Sequence, residues 1–144
     1  SSDLAAVKYM AAIAKPVTVV GTSRGTQRAA EGIGAGARPD ALVLTSGFLS
    51  PQSGEGEHRY VIKLVGGSPG VLPRTLVIHH RHDGCRWTHP AGVQPFLDWS
   101  KGKASVVWLD GGANDGDPCQ AKGHHGFAGL DSQVVNEVVK FAGH

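Results

Sequence analysis

The sequence lacks several features that would point to a nucleic-acid or membrane partner. No cluster of Lys and Arg is long enough to track a nucleic acid, and no apolar run approaches the length of a membrane span. We therefore expect neither partner. The first residue is Ser1 and not Met, so we expect a processed or trimmed chain in which any signal peptide would be invisible.

Charged residues are also scarce, at 18% of the 144 residues, whereas hydrophobic residues make up 40%. This balance is typical of a soluble globular chain and not of a disordered one. The length suits one domain with one core. Because the sequence has no internal repeat and no linker-like boundary, we expect a single domain over residues 1–144.

Short apolar segments alternate with segments of helical character. Four runs predict strands that are buried on both faces: Val17–Val20, Ala41–Thr45, Thr75–His80 and Ala104–Asp110. Four segments predict helices: Asp3–Ala14, Thr26–Ile33, Pro90–Trp99 and Asp131–Ala142. The alternation predicts an α/β fold, with a mostly parallel sheet of about four strands and helices on both faces.

Two segments carry more detailed expectations. The stretch from Ser46 to Pro73 is interpreted as an excursion over the carboxyl edge of the sheet, with a strand-like part, YVIKLV, at Tyr60–Val65. In the last helix we expect four valines to face the core: Val134, Val135, Val138 and Val139.

The pattern Gly-x-Ser-x-Gly occurs twice, around Ser23 and around Ser68. The pattern alone is weak evidence, because a chain with 21 glycines contains it by chance about 0.2 times. A nucleophilic serine needs a strained strand-to-helix turn, flanking glycines that avoid clashes, and a free N–H on the next residue to bind an oxyanion. Ser23 meets these conditions, with Arg24 as the N–H donor. Ser68 is followed by Pro69, which has no N–H, so we assign it to a turn.

A nucleophilic serine also needs a general base and a carboxylate that orients the base. Active groups lie at the carboxyl ends of parallel strands in such sheets. Asp83 comes just beyond the third predicted strand, and His124 and His125 lie in the long loop after the fourth. Three other acids share that loop and are interpreted as turn or solvated residues: Asp110, Asp115 and Asp117.

Three motifs therefore follow one another along the chain: VVGTSRGT at the serine, LVIHHRHDGC at the acid and DPCQAKGHHGF at the histidine. Together they resemble the C-terminal half of an α/β-hydrolase of the small esterase and dienelactone-hydrolase-like kind. The resemblance implies a truncated α/β-hydrolase fold with Ser23, Asp83 and His125 as the catalytic residues. The family places its histidine directly before Gly-Phe, which favours His125 over His124.

The sequence also departs from the family pattern. The family fold has several strands before the nucleophile strand, and one loop of that half supplies a second oxyanion N–H. This sequence begins at the helix leading into the nucleophile strand and contains no counterpart of that loop. Since loss of one oxyanion donor costs about 10²–10³ in turnover, efficient catalysis would need a donor from another segment or chain.

The two cysteines flank the expected acid and base, since Cys85 lies two residues after Asp83 and Cys119 six residues before His125. If Asp83 and His125 hydrogen-bond, the cysteines are brought together, and a disulfide would tie the acid loop to the base loop. Such a bond implies an oxidising compartment, periplasmic or secreted. The alternative is two free thiols.

Three functional hypotheses follow. The first is a serine hydrolase that cleaves a small carboxylic ester through an acyl-enzyme, without cofactor or metal. The alternative is a catalytically impaired half-hydrolase that serves as a binding or assembly module. A metal-binding protein is disfavoured, because neither a C-x₂-C nor an H-E-x-x-H signature is present. Its ligands would come from this set: His79, His80, His82, Asp83, Cys85, Cys119, His124 and His125.

The predicted strand Val17–Val20 has no residues on its N-terminal side to build the neighbouring strand of the family fold. It would therefore be an apolar edge with unpaired N–H and C=O groups, and stable proteins cover or pair such edges. We expect a homodimer in which a second copy does so.

Overall fold

The fold is a four-stranded sheet with helices, given by a computed structural model that describes residues 16–54 and 59–143. The strands are β1 (Thr18–Thr22), β2 (Ala41–Thr45), β3 (Arg74–His80) and β4 (Ala104–Leu109). The helices are α1 (Arg24–Gly34), α2 (Val61–Leu64), α3 (Val93–Trp99) and α4 (Asp131–Ala142). Single 3-10 turns lie at Pro51–Ser53, Pro69–Val71, Pro90–Gly92 and His124–Gly126. The predicted helix Asp3–Ala14 lies outside the described residues.

The strands follow the order β1-β2-β3-β4 and all pair in parallel. Because the strands are parallel, their carboxyl ends meet at one edge, where Thr22 pairs with Thr45 and Thr45 with Ile78. The loops that follow the strands therefore start close together, as a site built from several loops requires.

Helices cover both faces of the sheet, which confirms the predicted α/β architecture. Alternate side chains of β2 and β3 point to opposite faces. On one face Leu42, Leu44 and Val77 pack among buried residues of α1 and α3. On the other face Val43 packs with side chains of β3 and β4, which are Leu76, Ile78 and Leu109. These residues pack against the last loop and α4, through Phe127, Leu130, Val134, Val138 and Phe141.

The predicted strand Tyr60–Val65 is wrong, because this segment forms the short helix α2. Val61 and Val65 are buried one helical turn apart, and Lys63 is exposed between them. The N–H of Val61 donates to the carbonyl of Phe48, outside the sheet ladder. A short apolar run fits either structure, and here packing against α1 overrides the β-propensity.

Only two of the four valines predicted to face the core do so in helix α4. Val134 and Val138 pack on the sheet together with Phe141, a spacing that defines one helix face. Val135 and Val139 are 58% and 64% exposed, so the prediction was wrong for these two.

Strand β1 lies at one edge of the sheet, and within residues 16–54 and 59–143 only β2 pairs with it. Val20 in the middle of β1 is 48% exposed. None of the helices in the described part of the chain has the length and apolar character needed to cross a membrane.

Candidate active site

Ser23 lies at the sharp turn between β1 and α1, with φ 53° and ψ −117°. A non-glycine residue at positive φ is uncommon and strained, as expected for a serine held at a strand-to-helix bend. Position 21 requires glycine, because a Cβ there would lie 2.6 Å from the carbonyl oxygen of Gly25. A Cβ at position 25 would meet nothing within 4 Å, so steric relief explains only the first of the two flanking glycines.

The turn is fixed to the next strand, because the N–H of Ser23 donates to the carbonyl of Thr45 at 2.8 Å. The carbonyl of Ser23 accepts from the hydroxyl of Thr26 at 2.6 Å. Arg24 is the first residue of α1, so its N–H belongs to the group that has no acceptor within the helix. This N–H is available beside the Ser23 hydroxyl for a developing negative charge.

The structure brings the three predicted residues together across long separations in sequence. The Ser23 Oγ lies 2.9 Å from Nε2 of His125. On the other side of the imidazole, Nδ1 lies 3.0 Å from Oδ2 of Asp83. Asp83 and His125 are both buried, with 3% and 5% exposure, whereas Ser23 is partly accessible. A hydroxyl, an imidazole and a carboxylate in this order can activate the hydroxyl as a nucleophile.

Asp83 sits in a dense network of donors. Its Oδ1 accepts the N–H of Cys85, and its Oδ2 accepts the Thr88 hydroxyl, both at 2.9 Å. His79 Nε2 lies 3.3 Å from the same Oδ2. Burial opposes ionisation of this carboxyl, but the contacts from His125 and His79 outweigh it and hold the pKa of Asp83 well below its ordinary value. The group is therefore a carboxylate, as orientation of a base requires.

The loop that carries His125 is anchored at His125 itself and at Phe127. The buried Ser46 hydroxyl donates to the carbonyl of His125 at 2.5 Å. Phe127, two residues later, inserts into the core with 4% exposure. Between them, Gly126 lies against the backbone of Ala121, where a Cβ would be 2.4 Å from the Ala121 Cα. The Gly-Phe that follows the histidine thus lets the loop close and holds it on the sheet.

The expected disulfide is present. Cys85 and Cys119 are bonded, with a Cα–Cα distance of 4.5 Å, and close a loop of sequence separation 34. The bond joins the acid loop to the histidine loop and lies beside the serine. Both cysteines line a recess of about 510 Å³ that Ser23 also borders; its other lining residues are Arg24, Phe48, Gly84, Arg86, Trp87, Asp117, Pro118 and Gln120.

The remaining candidates have other roles. Ser68 is exposed in a turn, where its hydroxyl accepts the N–H of Gly70, as predicted. His124 stacks on His80, with ring centroids 4.0 Å apart, instead of facing Ser23. Three acids on the histidine loop are exposed and bind groups outside the serine site: Asp110, Asp115 and Asp117. Within the described ranges, no three or more His, Cys, Asp or Glu side chains are grouped to hold a metal ion.

Comparison with known proteins supports the fold. The chain is similar to the crystal structure of the carboxylesterase Cest-2923 from Lactobacillus plantarum WCFS1, with a TM-score of 0.59 and 12% sequence identity. The fold is α/β-hydrolase-like. The similarity covers 97% of this chain and 66% of the carboxylesterase, so the chain spans just under two thirds of that protein. No family profile matches the chain, and no curated protein matches it.

Three residues that contact the candidate triad were missed in the sequence: Ser46, His79 and Thr88. The Thr88 hydroxyl lies 2.9 Å from both Asp83 Oδ2 and His125 Nδ1. The side chain of His79 contacts the Thr88 carbonyl at 2.7 Å as well as Asp83. His79 is the last residue but one of a predicted strand and lies four residues before Asp83, which is a weak signal. The sequence gives no signal for Thr88 and Ser46, since they reach the site through tertiary contacts.

Proposed function

We propose that this protein is a serine hydrolase that cleaves carboxylic esters through an acyl-enzyme. The observation that carries the proposal is the continuous chain of contacts from Ser23 through His125 to Asp83, at 2.9 and 3.0 Å. These contacts lie at the carboxyl edge of a parallel sheet, and Ser23 occupies a strained turn there. The similarity in fold to a carboxylesterase adds support.

In the proposed reaction, Ser23 Oγ attacks the ester carbonyl while Nε2 of His125 takes the hydroxyl proton. Asp83 accepts the Nδ1–H of the imidazole, which leaves Nε2 free as the base and stabilises the imidazolium that forms. The Arg24 N–H stabilises the oxyanion. When the tetrahedral intermediate collapses, the alcohol leaves with the proton from His125. Water activated by the same imidazole then cleaves the acyl-enzyme, releases the acid and restores Ser23.

One component of this mechanism is not among the described residues. In the family that the sequence resembles, the second oxyanion N–H comes from a loop that precedes the nucleophile strand. The described residues begin at position 16, two residues before β1. The alternative, an impaired half-hydrolase that acts as a binding or assembly module, rests on the lack of a second oxyanion donor among the described residues.

The test pairs two serines of the same sequence pattern. Ser23→Ala should abolish hydrolysis of para-nitrophenyl acetate, whereas Ser68→Ala should retain it, because Ser68 only stabilises a turn. A fluorophosphonate should label the wild type and the Ser68→Ala variant but not Ser23→Ala, since labelling requires an activated serine. Labelling of Ser68, or wild-type protein that neither turns over esters nor reacts, would refute the assignment.

Two further proposals concern the setting of the protein. The Cys85–Cys119 disulfide supports an extracellular location, and we propose a periplasmic or secreted protein.

We also propose a homodimer in which a second copy covers β1, because this apolar edge has no second strand beside it within the described ranges and exposes Val20.

A further inference from the structure

The recess beside Ser23 carries two cationic side chains. Arg24 follows the serine, and Arg86 follows the disulfide cysteine of the acid loop. Both arginines are exposed, and neither forms an ion pair with a carboxylate in the described part of the chain. Among the residues that the structure describes, one acidic side chain lines the recess, that of Asp117, whose Oδ1 already accepts the N–H of Cys119 at 2.8 Å. The described lining therefore has a surplus of positive charge.

Each guanidinium is supported by an aromatic ring that also lines the recess. The Arg24 Cζ lies 5.5 Å from the centroid of Phe48, and the Arg86 Cζ lies 4.4 Å from that of Trp87. Cation–π contact of this kind restricts a flexible side chain while leaving its N–H groups free. A guanidinium held in this way loses less conformational entropy when it binds an anion.

We infer that the substrate is an ester that carries a carboxylate, which the guanidiniums of Arg86 and Arg24 bind while its ester carbonyl lies at Ser23. The inference rests on the proposed esterase function and narrows its substrate class. Planar guanidinium groups bind carboxylates through two parallel hydrogen bonds, whereas a neutral ester leaves both arginines unused. The aromatic rings supply apolar surface for the part of the substrate between the two groups.

The experiment compares two matched pairs of esters that differ only in whether a carboxylate is free or methylated. In the first pair the charge is on the acyl side: mono-para-nitrophenyl adipate and its methyl ester. In the second it is on the alcohol side: para-acetoxybenzoate and methyl para-acetoxybenzoate. Each kcat/KM is divided by the rate constant for hydrolysis by hydroxide, which removes differences in intrinsic reactivity.

For at least one pair we expect the anionic ester to be favoured by about tenfold or more, the range of one charge-assisted hydrogen bond. Arg86→Gln should reduce this ratio towards one. Added salt should also reduce it, because the recess is open to solvent. The matched control is Arg28→Gln, an exposed arginine one turn further along α1 that does not line the recess and should leave the ratio unchanged.

Two outcomes separate failure of this inference from failure of the proposed function. Turnover of all four esters with no preference for the anionic member of either pair would overturn the inference and leave the esterase function standing. A preference that persists in Arg86→Gln and Arg24→Gln would also overturn it. Absence of both turnover and fluorophosphonate labelling would refute the esterase function, and the inference with it.

Discussion

The disulfide between Cys85 and Cys119 makes a quantitative prediction about stability. The bond closes a loop of sequence separation 34, and the chain-entropy model assigns such a loop about 4 kcal/mol of free energy of unfolding. We therefore expect the double variant Cys85→Ser, Cys119→Ser to unfold at a urea concentration lower by roughly 2 M, given a slope of about 2 kcal/mol per molar urea.

Tryptophan fluorescence during urea titration measures this shift, with a reducing agent as the internal control. The reductant should lower the midpoint of the wild type to that of the double variant and leave the double variant unchanged. Non-reduced peptide mapping should link Cys85 to Cys119. A native protein with two alkylatable thiols, or a wild-type midpoint that does not respond to reduction, would refute the reasoning.

Reduction of the disulfide should lower ester turnover only to a limited extent. Reduction releases the exposed part of the histidine loop, but His125 keeps its contact with Ser46, and Phe127 stays in the core. We expect ester turnover to persist with a loss smaller than about 100-fold, which is the loss that a displacement of about 1 Å can cause. Complete loss of turnover in a folded, reduced protein would mean that the disulfide alone positions the base.

Three more predictions follow, each from one side chain. Thr88→Val should lower kcat/KM for para-nitrophenyl acetate about tenfold, because a hydrogen bond to a charged group is lost; Thr75→Val, an equally buried threonine at the far end of β3, should leave kcat/KM unchanged. The pKa of Asp83 is lowered on folding, so its carboxylate stabilises the protein fully only well above the ordinary pKa of 3.8. The stability advantage of wild type over Asp83→Asn in urea titrations should be constant above about pH 5 and shrink as the pH falls towards 2. Sedimentation should give twice 15.0 kDa for the wild type and 15.0 kDa for Val20→Lys; a wild-type monomer contradicts the homodimer.

The parallel sheet was accessible to sequence reasoning because its two central strands, β2 and β3, are buried on both faces. Ala41–Thr45 is apolar throughout except for its last residue, and the structure places β2 on those five residues, all of them buried. The segment Tyr60–Val65 has a similar apolar content but forms a helix, since its position is set by a backbone contact to Phe48 and by packing on α1. Composition over six residues does not distinguish these two environments.

Some residues of the candidate site could be predicted from the sequence, and others could not. Ser23 and Asp83 lie just beyond strand ends, and His125 lies in the loop after β4, so local pattern and strand order together indicated that they meet. Ser46 and Thr88 are small polar residues whose roles depend on which atom faces them after folding. Thr88 lies in a turn after Asp83, yet its hydroxyl contacts both the acid and the base. Because a buried hydroxyl is tolerated only when it is hydrogen-bonded, its complete burial is informative, but burial becomes known only with the fold. The residues proposed to perform the chemistry can thus be predicted from one sequence, whereas those that hold them in place require the structure.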